Sequence, residues 1–212
     1  MKLSKLILTG IFANIFLINI NLWCLTSAYQ TQPKEEGSLK KNFFAGILLG
    51  SYHIKDDRFE RIYRKKRSIL GIEVIYELYK KHKYIIEGAF SFKFYSTDGY
   101  STITGDYTKF SLRPYVLNFR TKYKLSEFFN PFTGFGLDYY SYKEECPTLK
   151  TTQGNKMGYH IEIGGCLEIP KLEKFGIRGY LRYSVVNAEE NNIKVELGGV
   201  EFGMGIFYKF SI

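Results

Sequence analysis

From Asn42 onward, apolar and polar residues alternate with a period of two, the signature of a strand with one apolar face. Between Met157 and Ile169 the odd positions are Met157, Tyr159, Ile161, Ile163, Gly165, Leu167 and Ile169, and the even ones are small, polar or charged. Phe175 to Val185 repeats this, with Phe175, Ile177, Leu181, Tyr183 and Val185 set against Gly176, Arg178, Tyr180, Arg182 and Ser184. From Glu201 to Ile212, Phe202, Met204, Ile206, Tyr208, Phe210 and Ile212 share a face. The runs around Leu70–Leu78, Tyr84–Phe94 and Phe135–Tyr139 alternate in the same way. The run from Asn42 to His53 is apolar on both faces, which leaves its register open. With Tyr107–Lys124 these make eight segments, near the length of a tilted strand that crosses a bilayer.

Two runs change phase. Phe110, Leu112 and Pro114 share one parity, whereas Leu117, Phe119 and Tyr123 share the other. A one-residue slip would move every later side chain to the opposite face, so a β-bulge is expected near Pro114. A similar slip is expected near Gly198-Gly199. The connections alternate in length. Lys80–His82, Leu125–Phe129 and Pro170–Lys174 are short; Lys55–Arg67, Ser96–Gly105 and Glu144–Lys156 are long, with Asn187–Asn192 between. Tight turns at one end and long loops at the other describe an antiparallel up-and-down meander. Eight such strands close into a barrel, which removes the exposed edges. The fold class read here is all-β: an eight-stranded antiparallel up-and-down transmembrane β-barrel over residues 42–212.

Alternation does not say which face is outside. Composition does: 18 Tyr and 18 Phe bring the aromatic share to 17%, and many fall near the ends of the runs, where a membrane barrel carries its aromatic girdles. The polar face is the second argument. It carries the acids Glu73, Glu77, Glu87, Asp138, Glu162, Glu168 and Glu201. Its bases are Lys93, Lys109, Arg113, Arg120, Lys122, Arg178, Arg182 and Lys209, with His160 among them. An eight-stranded interior is just wide enough for side chains, and buried charges must be paired. The expected lumen is a salt-bridged plug. A soluble barrel with its apolar face around a ligand is the competing arrangement.

The first residues read as an address. Lys2 and Lys5 precede an apolar stretch from Leu6 to Trp23, followed by Leu25-Thr26-Ser27-Ala28. This is the pattern of a secretory signal peptide, here residues 1–28, cleaved after Ala28. Residues 29–41 are polar and read as a flexible periplasmic lead-in.

Little in the sequence points to catalysis. Ser51 and His53 share a strand face, but no acid on that strand completes a triad. His82 lies in a lysine-flanked turn, and His160 falls on the lumen face. Cys146 lies in a long loop and Cys166 well down the next strand, roughly 30 Å away at ~3.3 Å per residue, so no disulfide is expected. No metal cluster and no cofactor motif appear. The sharpest surface feature is the first long loop: Lys55 to Arg67 holds seven bases and three acids. Arg58, Arg61, Arg64, Lys65, Lys66 and Arg67 would meet phosphates or another polyanion if they face outward.

Asn130-Pro131-Phe132-Thr133-Gly134-Phe135-Gly136-Leu137-Asp138-Tyr139-Tyr140 is similar to the Pro-Tyr-x-Gly-x-Gly strand of the small outer-membrane β-barrel proteins, the OmpA/OmpX-like superfamily. Gly158-Tyr159-His160 and the closing Gly203-Met204-Gly205-Ile206-Phe207-Tyr208-Lys209-Phe210 also resemble that family, although its members usually end on Phe or Trp. The resemblance covers residues 42–212. It implies a bacterial outer membrane, periplasmic tight turns, surrounding lipid and lipopolysaccharide, and insertion by the barrel-assembly machinery. The role expected is non-catalytic, structural or surface-interacting, by a monomer that meets an extracellular polyanion and no nucleic acid. A narrow channel for small or hydrophobic solutes and a lipid-modifying barrel enzyme are the alternatives.

Overall fold

The structure, a computed structural model, describes residues 42–63, 67–102, 104–149, 151–168, 172, 174–190 and 193–211. The expected signal peptide and lead-in lie outside the described residues. The elements are β1 (Asn42–Ile54), α1 (Asp57–Ile62), β2 (Arg67–Lys81), β3 (Tyr84–Tyr100), β4 (Tyr107–Tyr123), β5 (Phe129–Glu145), β6 (Thr152–Glu168), β7 (Phe175–Glu190), β8 (Ile193–Glu196) and β9 (Gly199–Ser211). Each wall strand pairs antiparallel with its neighbour in sequence, β9 pairs with both β7 and β1, and the ring closes. The short β8 pairs only with the far end of β7. The result is a closed eight-stranded antiparallel barrel, as the alternation predicts. At one end the β2–β3 turn is held to His82 and Lys83, with His82 at φ 53.

The register gives the geometry of the wall. From Phe129 the pairs run to Leu167, Ile177, Ile206, Ile47, Ile72, Phe92 and Tyr115, and return to β5 at Tyr139, ten residues further on. All nine residues on this circuit are apolar or aromatic and lie on the outer face. A ten-residue stagger over eight strands implies a tilt of about 40°, so the circuit climbs roughly 25 Å, about the height of an apolar membrane band. Phe135 and Ile206 are 66% and 63% exposed, and Leu49, Leu137 and Met204 are exposed beside them.

Beyond that band the faces exchange character. At the long-loop end the lumen is apolar: Tyr52, Ile54, Ile69, Tyr95, Phe110, Leu112, Tyr140, Tyr142, Val186, Ala188 and Leu197 form one buried cluster. The outer face there carries Ser96, Asp98, Lys109, Ser111, Arg113, Ser141 and Lys143. A strand in lipid shows its apolar side outward; the same strand in water buries it.

This inversion corrects two expectations. No bulge occurs at Pro114: burial alternates along all of β4, and one register holds from Tyr84↔Tyr123 to Tyr100↔Tyr107. Only the pairs beside Pro114 are missing, because proline has no N–H to donate. Nor does the register slip at Gly198-Gly199. Asn187↔Glu196 and Ser184↔Gly199 lie on one register, and the irregularity is local, with the N–H groups of Leu197 and Gly198 both donating to Val186 O at 2.9 and 3.2 Å. The sequence pattern changed phase because the surroundings changed. As a consequence Arg113, and Lys109 with it, do not belong to the lumen; both are exposed on the outer wall. The register shift that does occur is in β2, between Glu77 and Tyr79.

Candidate functional site: a plugged lumen and its capped mouth

Charged side chains from six wall strands converge inside the barrel. Lys93 Nζ lies 2.6 Å from Glu201 Oε1, and Arg182 Nη1 lies 3.6 Å from Glu201 Oε2. Arg182 Nη2 is 2.5 Å from Glu162 Oε2, whose other oxygen is 2.7 Å from Arg120 Nε. Arg120 Nη2 is 2.6 Å from Glu73 Oε1, and Arg178 joins Glu73 to Glu87 at 3.4 and 3.0 Å. Lys122 then lies 2.7 Å from Glu87 and 3.8 Å from Glu77. The order is Lys93, Glu201, Arg182, Glu162, Arg120, Glu73, Arg178, Glu87, Lys122, Glu77. Bases and acids alternate without a break, five of each, and the string is neutral. All ten are buried. Desolvating so many ions is costly, and alternation gives each of the eight inner members an opposite charge on both sides.

Aromatic rings fill the gaps. The Arg178 guanidinium lies 4.9 Å from the Phe132 centroid and 5.1 Å from that of Phe207, and Arg120 lies 5.4 Å from Phe132. The Tyr180 hydroxyl donates to Glu201. Glycines leave the room this needs. A Cβ at Gly136 would meet His160 Cε1 at 2.5 Å and Asn118 Cα at 2.9 Å.

The other lumen residues read from the sequence fall in three places. His160 Nδ1 is 3.0 Å from Asp138 Oδ1, in a pair enclosed beside the string. Lys209 is half-buried at the short-turn mouth, where it lines a cavity of about 140 Å³ with Asn42, Phe44, Glu77, Asn130 and Glu168. Arg113 is outside the barrel. Arg120 and Lys122, both on the predicted polar face, prove to be links of the string itself. Ser51 and His53 lie on the outer side of β1. Cys146 and Cys166 are unbridged, and Arg178 Nε approaches Cys166 Sγ at 3.3 Å.

The long-loop mouth is closed by α1, which the sequence reading did not contain. Asp56 caps it: its Oδ1 accepts from Phe59 N at 3.3 Å, and its Oδ2 accepts from Glu196 N at 3.1 Å, which ties the helix to β8. An aspartate just ahead of a short run with Phe59 and Ile62 is a recognisable helix start. Phe59 packs against Tyr63 in a tilted pair and edge-to-face against Phe110, with centroids 4.6 and 4.9 Å apart. The Tyr63 hydroxyl donates to Glu144 at 2.5 Å, and burial together with this bond pushes its phenol well above the ordinary tyrosine range. No local sequence signal marks Tyr63 or Glu144 as partners, because 81 residues separate them. Of the basic loop residues, Arg61 is exposed on α1 and Arg67 lies 3.8 Å from Asp98. Arg64, Lys65 and Lys66 lie outside the described residues, as does the side chain of Arg58.

No protein-family model matches the chain, and no curated protein matches it in sequence. Solved structures do match its fold. Neisserial surface protein A aligns with a TM-score of 0.55 at 10% identity, over 80% of this chain and 97% of that one. OprG of Pseudomonas aeruginosa gives 0.55 at 14%, over 82% and 97%. Ail, the attachment invasion locus protein of Yersinia pestis, gives 0.52 at 13%, over 81% and 99%, and a second structure of Ail holds the heparin analogue sucrose octasulfate. In fold, the chain is a closed eight-stranded antiparallel β-barrel similar to those of these small outer-membrane proteins.

Proposed function

We propose that this protein spans the bacterial outer membrane as a plugged, non-catalytic barrel and acts through the surface of its long loops. The observation that carries this reading is the unbroken string of ten alternating charges across the lumen. Opening a path for solute would separate ion pairs inside a low-dielectric interior, each at a cost of several kcal/mol. Function is therefore left to the extracellular side, where α1 lies across the mouth and segment 55–67 carries seven bases. We read that segment as a contact for an extracellular polyanion. Arg61 is exposed there, and the polyanion held by Ail is consistent with the same use of a barrel's surface.

The test has two arms. The full chain is expressed in a diderm host, fractionated, and run on gels with and without boiling. An outer-membrane band whose mobility shifts on heating is expected; a soluble product without a shift would turn the apolar face into a ligand cavity. The purified barrel is then inserted in planar bilayers. Steady conductance in the wild type would replace the plug with a channel. Salt-sensitive retention on immobilised heparin, reduced by Arg58→Gln with Arg61→Gln, is expected of the loop reading, and retention unaffected by either salt or substitution would sink it.

A further inference from the structure

We infer that the outer face of β4 and β5, just beyond the apolar band, binds the phosphate groups of an outer-leaflet glycolipid through Lys109, Arg113 and Lys143. The inference rests on the proposed span of the outer membrane. Arg113, Ser111 and Lys109 are successive outward positions on β4, and all the pairs they make with β5 lie on one register. Lys143 stands opposite Ser111, with Ser96 of β3 on its other side. Both Arg113 and Lys109 are therefore diagonal neighbours of Lys143, roughly 7 Å away on a sheet. Three cations surround one hydroxyl. Acids offset two of them in part: Glu145 is ion-paired with Lys143 and stands opposite Lys109, and Asp98 of β3 stands on the other side of Lys109, whereas Arg113 stands opposite Ser141. Neither Lys109 nor Arg113 forms an ion pair within 4 Å among the described residues. Like charges at this spacing repel, and an anion seated between them removes that cost.

The height of the cluster selects the anion. Directly below Arg113 on the same face is Tyr115, whose ring lies 6.0 Å from that of its cross-strand partner Tyr139. Tyr115 and Tyr139 end the apolar circuit, so Arg113 is the first outward residue of β4 above the acyl region. An exposed guanidinium at that level reaches the lipid phosphates, with Lys143 and Lys109 one and two outward steps higher, and its planar fork suits a phosphate. A soluble polyanion would meet the loop tips first, whereas these three cations line the wall at the membrane surface. The serine hydroxyls of Ser96 and Ser111 add neutral donors beside them.

The experiment uses the full chain folded in phosphatidylcholine vesicles, with the heat-dependent gel shift as the control for folding and insertion. The probes are bisphosphorylated lipid A and its dephosphorylated form, each titrated with fluorescence detection. Wild type is expected to prefer the phosphorylated form by roughly tenfold or more. Lys109→Gln, Arg113→Gln and Lys143→Gln together are expected to abolish that preference while the gel shift persists, and Arg113→Lys alone to lower it in part. Equal binding of both forms, or an unchanged preference in the triple variant, overturns the inference and leaves the spanning barrel intact. Displacement of lipid A by soluble heparin assigns the face to a soluble polyanion and likewise overturns it. A wild type that fails to shift in vesicles overturns the spanning reading itself.

Discussion

Lys93 of β3 and Glu201 of β9 meet at 2.6 Å inside the barrel, although β2 and β1 separate them around the wall. The contact is the first link of the charge string and locks opposite sides of the lumen together. Lys93→Met leaves Glu201 with the guanidinium of Arg182 at 3.6 Å as its remaining cation. Removing one partner of a buried pair strands the other. The expected loss is about 3–5 kcal/mol, measured as a shift of the urea midpoint in vesicles. An unchanged midpoint would show that the lumen is solvated and that the string does not hold the wall.

Two glycines of the wall, Gly136 on β5 and Gly179 on β7, should respond differently to a single methyl group. A Cβ at Gly136 would overlap Leu117 O and press on His160, whereas one at Gly179 finds nothing within 4 Å. Gly136→Ala is expected to cost about 1–3 kcal/mol or to block folding, and Gly179→Ala to stay within ~0.5 kcal/mol. The yield of heat-modifiable barrel for each variant checks this. Equal yields would contradict the tight packing of the lumen.

How far the sequence exposed all this can be seen along β4. Strand existence, meander order and the acids and bases of the lower lumen follow from period-two alternation, and Arg120 and Lys122 sit on the face it predicts. Arg113 does not. Its parity is that of Leu117 and Phe119 on the outer face, and placing it in the lumen required a bulge that β4 does not have. Alternation reports which face is apolar, and it is silent on whether lipid or water lies outside. The chain leaves the apolar band near Tyr115, and the apolar face changes from outward to inward at that height. The β2 bulge was hidden because Leu78, the residue it leaves unpaired, and Tyr79 beside it are both large exposed hydrophobic residues and blur the parity. The pairing of Tyr63 with Glu144 was hidden because it is a long-range contact without a local pattern.

Asp106 and Thr148, on two of the long loops, are joined by a contact that acid should loosen. Asp106 accepts from the Thr148 hydroxyl, and that bond, with one from Thr104, holds its carboxyl below the ordinary aspartate range. A carboxylate depressed in the folded state favours the docked loops above its unfolded value. That contribution fades as pH falls through the folded one. NMR titration of Asp106 should show the depressed midpoint, and Thr148→Val should raise it toward the ordinary range, with the bond from Thr104 remaining. A midpoint indifferent to Thr148→Val would show that the loops are not held by this bond.

The exchange of faces along β4 makes the strongest demand on the wall. Ser111 and Leu117 both point outward, but Ser111 lies above the Tyr115–Tyr139 row and Leu117 lies within the apolar band. Ser111→Arg is expected to cost no more than about 1 kcal/mol, because the arginine joins a solvated polar surface where repulsion from Lys143 opposite it is screened by water. Leu117→Arg should cost about 2–4 kcal/mol, the penalty for a cation near the middle of a bilayer. Leu112 points the other way, into the buried apolar cluster at the long-loop mouth. Leu112→Asp places an unpaired charge there and should cost several kcal/mol, although the residue lies beyond the apolar band. Folding free energies of the three variants in vesicles give the comparison. If Leu112→Asp were mild and Ser111→Arg severe, the register of β4 would be shifted by one residue and the bulge at Pro114 restored. The expected order, with Leu117→Arg and Leu112→Asp both costly and Ser111→Arg the mildest, requires one unbroken strand that passes from lipid into water.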